Sequence, residues 1–383
     1  MLEIPAKTVY IDPEVYTKPN CLVRLNRMLP NIRYQELKQY DAATREQVAN
    51  IGSRRHGKDA FGDDAIIVFS TFDKSKPNFY YHWRDEATQH QGVCQPGLEL
   101  NIVSGCIFRC AYCGFGRVVI FYLDIEQFMS NLDTVFVQYP NQRLFKYSNM
   151  TDLPPFEPEL DAMPPMIDRF TREKDRYLLL FTKSDNIGFL KNLNHQGHTI
   201  ISWSVSADTA SRVIDRRTPS MQERIDAMAL AQQSGYPVRA RLSPIVPVRD
   251  WRKEYTVLFE YLYQKVQPDL VTLELLGWMG FSDMANIFDL DLLDPIAVKS
   301  AEQAVETMKD IPWGPFTDEF HQEVYRYCIE TSKRISPKTP IAVCHGTKTV
   351  WNKLGKLMNM EPEHYLCNCG PDSAPGGRLY PVK

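Results

Sequence analysis

Apolar and polar positions divide this chain into two kinds of segment that alternate from residue 98 onward. Short apolar or alternating runs at 98–103, 143–147, 177–182, 199–205, 238–242 and 270–275 have the length and composition of strands. Between them, 125–137, 158–170, 207–214, 221–234 and 251–266 carry apolar residues at helical spacing. One helix is marked at both ends: Ser220 and Glu223 form an S-x-x-E capping box, and Gly235 with Pro237 stops it. Six strand–helix units imply an α/β fold with a mainly parallel sheet, because parallel neighbours need crossover connections. The pattern alone leaves open whether that sheet is doubly wound or rolled into a partial barrel.

Residues 1–93 read as an N-terminal cap: a Tyr/Val/Ile-rich start, a helix over 34–51, a polar segment over 52–64 and an apolar run at 65–69. Within the polar segment, Ser53-Arg54-Arg55-His56-Gly57-Lys58 is either a solvated loop or a phosphate contact. Residues 94–276 form the core, and 277–383 a C-terminal region with extra cysteines. In that last region 277–316 has little regular pattern. Its GWMGF (277–281) and IPWGPF (311–316) pieces read as aromatic pocket walls or as core and turn. A helix over 318–333 and a seventh apolar run at 340–344 follow.

With 383 residues and 44% hydrophobic content there is ample material for a buried core. A net charge of −3 argues against broad nonspecific binding to nucleic acid, while leaving room for a local basic patch. No apolar run approaches the roughly 18 residues of a membrane span, and the N-terminus lacks signal-peptide architecture, so a soluble, cytoplasmic protein is expected. Nine cysteines, an odd number concentrated in two places, do not resemble a secreted disulfide framework and point to a reducing compartment.

The first concentration carries the chemistry. After the strand at 98–103, a loop opened by Ser104-Gly105 holds Cys106, Cys110 and Cys113 in C-x3-C-x2-C spacing. Three thiolates on so short a loop can converge on one cubane cluster, leaving its fourth iron open to a small molecule. A zinc site, usually four ligands in paired C-x2-C form, and three unrelated core cysteines are the competing readings.

This triad, with the aromatic Tyr112 just before its third cysteine, resembles the signature of the radical S-adenosylmethionine enzymes. The likeness narrows to the spore photoproduct lyase family through SGCIFRCAYC at 104–113, FTKSDNIGFLKNLNHQGHTIISWSVS at 181–206, RRTPSMQERIDAMALAQQSGYPVRARLSPI at 216–245 and DWRKEY at 250–255. Weaker likeness at VYIDPEV and VCHGTKTVWNKLG extends it over most of the chain. The resemblance implies a partial (β/α)6 barrel, a [4Fe-4S] cluster on Cys106, Cys110 and Cys113, S-adenosyl-L-methionine on the open iron, and a 5′-deoxyadenosyl radical formed by one electron from the cluster.

Carried over position by position, Lys183 in the TKS turn and Ser204 in WSVS fall where family members contact S-adenosylmethionine, and Thr151 matches a family serine. Tyr112 and Arg241 join them as cofactor-side candidates; each hydroxyl or cation also has an ordinary reading as a turn, cap or solvated side chain. Two departures bear on the reaction. Asn149 stands where the family has the cysteine that returns hydrogen to the substrate radical, and Gly114 where a tyrosine completes that path. An amide N–H bond is too strong to donate hydrogen readily to a carbon radical, so dimer repair by the family route is not expected.

The second concentration is Cys344 with Cys367-Asn368-Cys369. These read as an auxiliary iron–sulfur or metal site, as hydrogen-donor thiols replacing the missing one, or as three non-liganding cysteines; Cys94, Cys328, His345 and His364 are candidate fourth ligands. Among the basic residues of the middle region (Arg212, Arg216, Arg217, Arg239, Arg241, Arg249, Arg252 and Lys253), Arg239 and Arg241 at strand ends are expected to reach a substrate phosphate or carboxylate, the others to form a solvated face.

The expected function is hydrogen abstraction from a bound nucleobase- or nucleotide-type substrate, free or in DNA, with a one-electron reductant such as flavodoxin or ferredoxin as partner. Radical modification of a peptide or natural product with an auxiliary cluster is one alternative. A metal-bearing protein that binds nucleic acid without turnover is another.

Overall fold

The computed structural model describes residues 1–51, 65–72, 79–82 (backbone only), 92–95, 97–309, 313–344, 346–370 and 373–375. The basic segment 53–58 and His345 lie outside the described residues, as do Ile311 and Pro312 of the second aromatic piece. The chain divides into two compact units. The first comprises Met1–Tyr81, Leu98–Thr199 and Asp215–Thr218; the second His82–Gly97, Ile200–Ile214 and Pro219–Lys383.

In the first unit, β1 (Ile4–Ile11) pairs in parallel with β2 (Ile32–Gln39) on one side and β3 (Ile66–Ser70) on the other. After α1 (Pro19–Met28) and α2 (Ala42–Ile51) come β4 (Phe79–His82) and, past β5 (Gly92–Val93), which belongs to the second unit, β6 (Gly97–Leu100), β7 (Val103–Ser104) and β8 (Val118–Tyr122). Strand β8 pairs in parallel with β3, and β7 closes that sheet antiparallel to β8. Interior β3 is apolar almost throughout, as a parallel strand covered on both faces must be.

The helix expected over 34–51 is only half present. Residues 32–39 form the edge strand β2, and the helix begins at Ala42. Pairing with β1 holds β2 extended, and its outer edge leaves seven of its eight residues exposed, so its polar pattern mimics a surface helix.

The same unit carries β6, β9 (Leu144–Tyr147) and β10 (Tyr177–Thr182), which pair in parallel, with α3 (Ile125–Gln138) and α4 (Met163–Thr171) between them in the chain. Ile125, Phe128, Leu132 and Val135 form the buried stripe of α3. Helix α4 starts five residues later than the pattern at 158–170 suggested: residues 157–162 form a turn in which Asp161 has φ +53° and the Glu157 carboxylate accepts from the N–H groups of Asp161 and Ala162.

In the second unit, β11 (Thr199–Ser204), β12 (Val238–Ile245), β13 (Val271–Leu275) and β14 (Ile341–Val343) pair in parallel in chain order. Their connections carry α5 (Asp208–Val213), α6 (Met221–Gln233), α7 (Trp251–Lys265), α8 (Phe281–Ile287), α9 (Pro295–Gln303) and α10 (Asp318–Ile335). The Ser220–Glu223 box caps α6 in both directions, and Gly235 follows its end with φ +88°. A short strand β15 (Gly346–Thr347) pairs antiparallel with β5, and α11 (Lys348–Met358) follows. The architecture is α/β with a curled parallel half-barrel sheet. Of the two aromatic pieces, Trp313 and Phe316 are core, whereas Trp278 is 46% exposed.

Candidate active site

The cysteine loop leaves β7 through a position only glycine can occupy. Gly105 has φ +92°, and a Cβ there would stand 2.0 Å from the carbonyl oxygen of Val118. Its N–H donates to Met150 O at 3.2 Å, tying the loop to the turn after β9. A turn closed by Cys113 N–H on Cys110 O at 2.9 Å brings the last two cysteines together.

All nine cysteines of the chain are reduced thiols. In the triad, Cys106 Sγ accepts from the backbone N–H groups of Phe108 and Asp152, and Cys113 Sγ accepts from Phe115 N at 3.4 Å. Such donors favour a sulfur that carries negative charge. Desolvation pushes the Cys106 thiol well up, with the Asp152 carboxylate and Cys113 adding to it. Burial does the same to Cys110, reinforced by Asp215 and opposed by Lys183. The three sulfurs are thus near enough to feel one another's charge. Among the described residues, no three His, Cys, Asp or Glu side chains are gathered closely enough to hold a single metal ion.

Lys183 meets this loop from β10. Its Nζ donates to the Tyr112 hydroxyl at 2.6 Å and to Asp215 Oδ2 at 2.7 Å, with the ammonium 5.3 Å from the Tyr112 ring centroid. The TKS turn is held in turn by Asp152, which accepts from Thr182 Oγ1 at 2.7 Å and from Lys183 N at 2.5 Å. Thr151, beside that carboxylate, is buried, and its hydroxyl has no hydrogen-bond partner. Asn149 is exposed and its amide donates to Glu99 Oε1 at 3.0 Å. Gly114 faces open space: a Cβ there would meet nothing within 4 Å.

Tyr112, Thr151 and Lys183 therefore belong with the triad in the first unit. Ser204 and Arg241 lie in the second, as register partners on β11 and β12. Arg241 donates to Glu274 Oε2 at 2.5 Å; burial works against its charge, while Glu274, Cys344 and Cys369 hold it above the usual guanidinium range. Arg239 is not placed to meet a substrate anion. It is fully buried, and its guanidinium donates to the backbone carbonyls of Asn368 and Ser373. Arg212 pairs with Asp208, Arg249 with Asp291 and Arg252 with Glu323, all on exposed surface.

The pattern of the sequence missed Asp152, Asp215 and Glu99, the carboxylates that fix Lys183 and Asn149. Their signal was faint: single acidic residues at strand ends or next to candidates already chosen.

The donor set fits both groups the motif implies. Three sulfurs, two of them supplied with N–H donors, suit a cubane, and the buried, unpartnered hydroxyl of Thr151, next in sequence to the Asp152 that anchors the Lys183 turn, suits a zwitterionic, ribose-bearing ligand. Fold and loop together define a radical S-adenosylmethionine protein. The family model described as spore photoproduct lyase matches residues 88–284, more than half of the chain, and the chain belongs to that family.

It is 24% identical over 194 residues to the spore photoproduct lyase of Clostridium acetobutylicum, a match covering 48% of this chain and 58% of that protein. To the Bacillus subtilis spore photoproduct lyase it is 22% identical over 251 residues, covering 62% of this chain and 68% of the relative. A solved spore photoproduct lyase mutant with bound AdoMet and dinucleoside spore photoproduct shares the fold at TM-score 0.65 and 16% identity, over 90% of this chain and 99% of that one. A second solved mutant of that enzyme has a TM-score of 0.68 at the same identity and coverage.

Proposed function

We propose that this chain is a radical S-adenosylmethionine enzyme that abstracts a hydrogen atom from a nucleobase- or nucleotide-type substrate, free or in DNA. The observation that carries the reading is the contact between Lys183 and Tyr112, 71 residues apart in sequence, at the mouth of a three-cysteine loop. When bound, a [4Fe-4S] cluster and S-adenosylmethionine supply a 5′-deoxyadenosyl radical by one-electron cleavage of a C–S bond.

The remaining work falls to the chain's own side chains. Cys106, Cys110 and Cys113 would hold the cluster through three thiolates, and its remaining iron would be open to the ligand's amino and carboxylate groups. Lys183 spends two of its three N–H donors on Tyr112 and Asp215, and the third remains for an anionic group. Asp215 holds the ammonium in place, and Asp152 sets the turn that carries it. Thr151 offers its unpartnered hydroxyl to a ribose or carboxylate oxygen. The nucleotide-type substrate is supported by the family and by its solved members with dinucleoside spore photoproduct. Asn149 offers only amide N–H bonds too strong to give a hydrogen atom readily to a carbon radical, so the substrate radical is not quenched by a thiol at that position. The electron comes from a small protein donor of the flavodoxin or ferredoxin kind.

Anaerobic incubation of reconstituted protein with dithionite and S-adenosylmethionine tests the reading. The expected product is 5′-deoxyadenosine, lost in a C106A/C110A/C113A variant; its absence from the wild type overturns the enzyme. Deuterium transfer into 5′-deoxyadenosine from a deuterated thymidine oligonucleotide supports the substrate class. Transfer from a peptide but not from the oligonucleotide overturns it.

A further inference from the structure

The second unit gathers four cysteines that the proposed reaction does not use. Cys94 directly follows β5, and Cys344 precedes β15 by two residues. The antiparallel pairing of β5 with β15, Val93 opposite Gly346, therefore brings their backbones side by side. Cys344 is further fixed by its N–H on Leu273 O at 2.8 Å, at the end of β14. The other two arrive from the tail.

That tail is anchored on the strands from several directions. Arg239 of β12 holds the carbonyls of Asn368 and Ser373, and Asn368 Nδ2 donates to Ser202 Oγ of β11 at 2.9 Å. Tyr365 packs against Trp351 at 4.7 Å between ring centroids, and its carbonyl accepts from Gln95 Nε2 at 2.7 Å. As a result Cys367 points at the Cys94–Gln95 segment, donating to Gln95 Oε1 at 3.4 Å, and hydrogen bonds with Cys369. Cys367 and Tyr365 each lie within electrostatic reach of Cys94, Cys344 and Cys369.

Gly370 completes the enclosure. A Cβ there would stand 1.5 Å from Gln95 Oε1 and 2.8 Å from Cys367 Sγ, so any larger residue would have to push the Gln95 side chain away from the C-x-C turn. The cationic Arg241 faces Cys344 and Cys369, a counter-charge for a site rich in thiolate.

We propose that Cys94, Cys344, Cys367 and Cys369 ligate a second iron–sulfur cluster, a fully protein-coordinated [4Fe-4S] centre that pins the tail to the end of the second unit. Four thiols from three separate segments are a ligand set, and each gives up its proton on ligation. An iron–sulfur cluster is favoured over a lone zinc because no three of these side chains close on a single ion. Zinc needs all its sulfurs at about 2.3 Å from one centre, whereas a cubane holds them farther apart. With every iron of such a cluster capped by a thiolate, it has no position for S-adenosylmethionine. It therefore serves structure or electron supply rather than homolysis.

The proposal stands apart from the function above, because iron content is blind to cofactor cleavage. Full-length protein is reconstituted anaerobically with iron and sulfide and assayed for metal, sulfide and low-temperature EPR of the reduced state. The wild type should hold about eight irons per chain, the C106A/C110A/C113A variant about four, and a C94A/C367A variant about four. In the wild type, adding S-adenosylmethionine should alter the EPR signal of one cluster and leave the other unchanged. If the C94A/C367A variant does not fold, the C106A/C110A/C113A variant still decides, since it leaves these four residues untouched. Iron below one per chain in that variant, zinc in place of iron, or a single wild-type signal wholly altered by S-adenosylmethionine overturns the second cluster.

Discussion

Lys146 donates to Glu99 at 2.5 Å across a register pair of β9 and β6, and both side chains are 5% exposed. Strand alternation turns Glu99 away from the face of Leu98 and Leu100, so the pair lies on the opposite side of the sheet from those leucines. A buried ion pair is costly to half-remove, because the surviving charge is left without compensation. Lys146→Met should destabilise the protein by about 3–5 kcal/mol in urea unfolding, and the double change Lys146→Met with Glu99→Leu should recover most of that loss. Equal instability of the single and double variants would show that the pair's geometry, not its charge, matters.

Glu99 also fixes Asn149, the residue standing where the family resemblance places a hydrogen-donating cysteine. Neither departure from that relay is forced by crowding: Asn149 is exposed and a side chain at Gly114 meets open space. Gly114→Tyr should therefore leave stability within about 0.5 kcal/mol of the wild type. Combining it with Asn149→Cys should let the product take up solvent deuterium from an exchangeable thiol during turnover in heavy water. Wild type should show no such incorporation at the same carbon, and equal labelling of the two proteins would refute the role given to this position.

How much of this was legible in sequence follows the range of the interactions. The β10 strand at 177–182, the caps of α6 and the cysteine loop are local patterns, and they stand in the structure where periodicity and spacing put them. Strand β2 was misread because its partner β1 lies about thirty residues away and its exposed edge carries no apolar stripe. Asp215 binds Lys183 from 32 residues away and Glu99 binds Lys146 from 47, distances over which spacing carries no information. Arg239 looked like an anion receptor because its strand-end position was visible and its tail partners, 129 and 134 residues on, were not.

Gly105 gives a sharp test of how the cysteine loop is set. Alanine there must adopt φ +92° and overlap the Val118 carbonyl, whereas a Cβ at Gly188 meets nothing within 4 Å. Gly105→Ala should cost at least about 1–3 kcal/mol from backbone strain alone and lower the iron bound by the first cluster. Gly188→Ala should change neither stability by more than about 0.5 kcal/mol nor iron content. Normal iron retention in the Gly105 variant would mean that the loop closes on the metal regardless of this turn.

Glu157 makes the first unit sensitive to pH. Its carboxylate is fully buried and accepts from Asp161 N at 3.0 Å, Ala162 N at 2.9 Å and Met163 N at 2.8 Å. Burial raises it to about 7 from an ordinary 4.5, against the pull of those N–H donors. Between these two values the folded chain binds more protons at this group than the unfolded chain does, so stability falls as pH rises through the interval and levels off above it. The group's contribution should drop by about 3 kcal/mol from pH 4.5 to 7.5. Glu157→Gln loses absolute stability, since an amide nitrogen replaces one acceptor, but it cannot titrate. The stability difference between wild type and Glu157→Gln, followed by denaturant unfolding across this range, should therefore shrink with rising pH; two parallel curves would mean that the carboxylate stays ionised in the folded protein throughout.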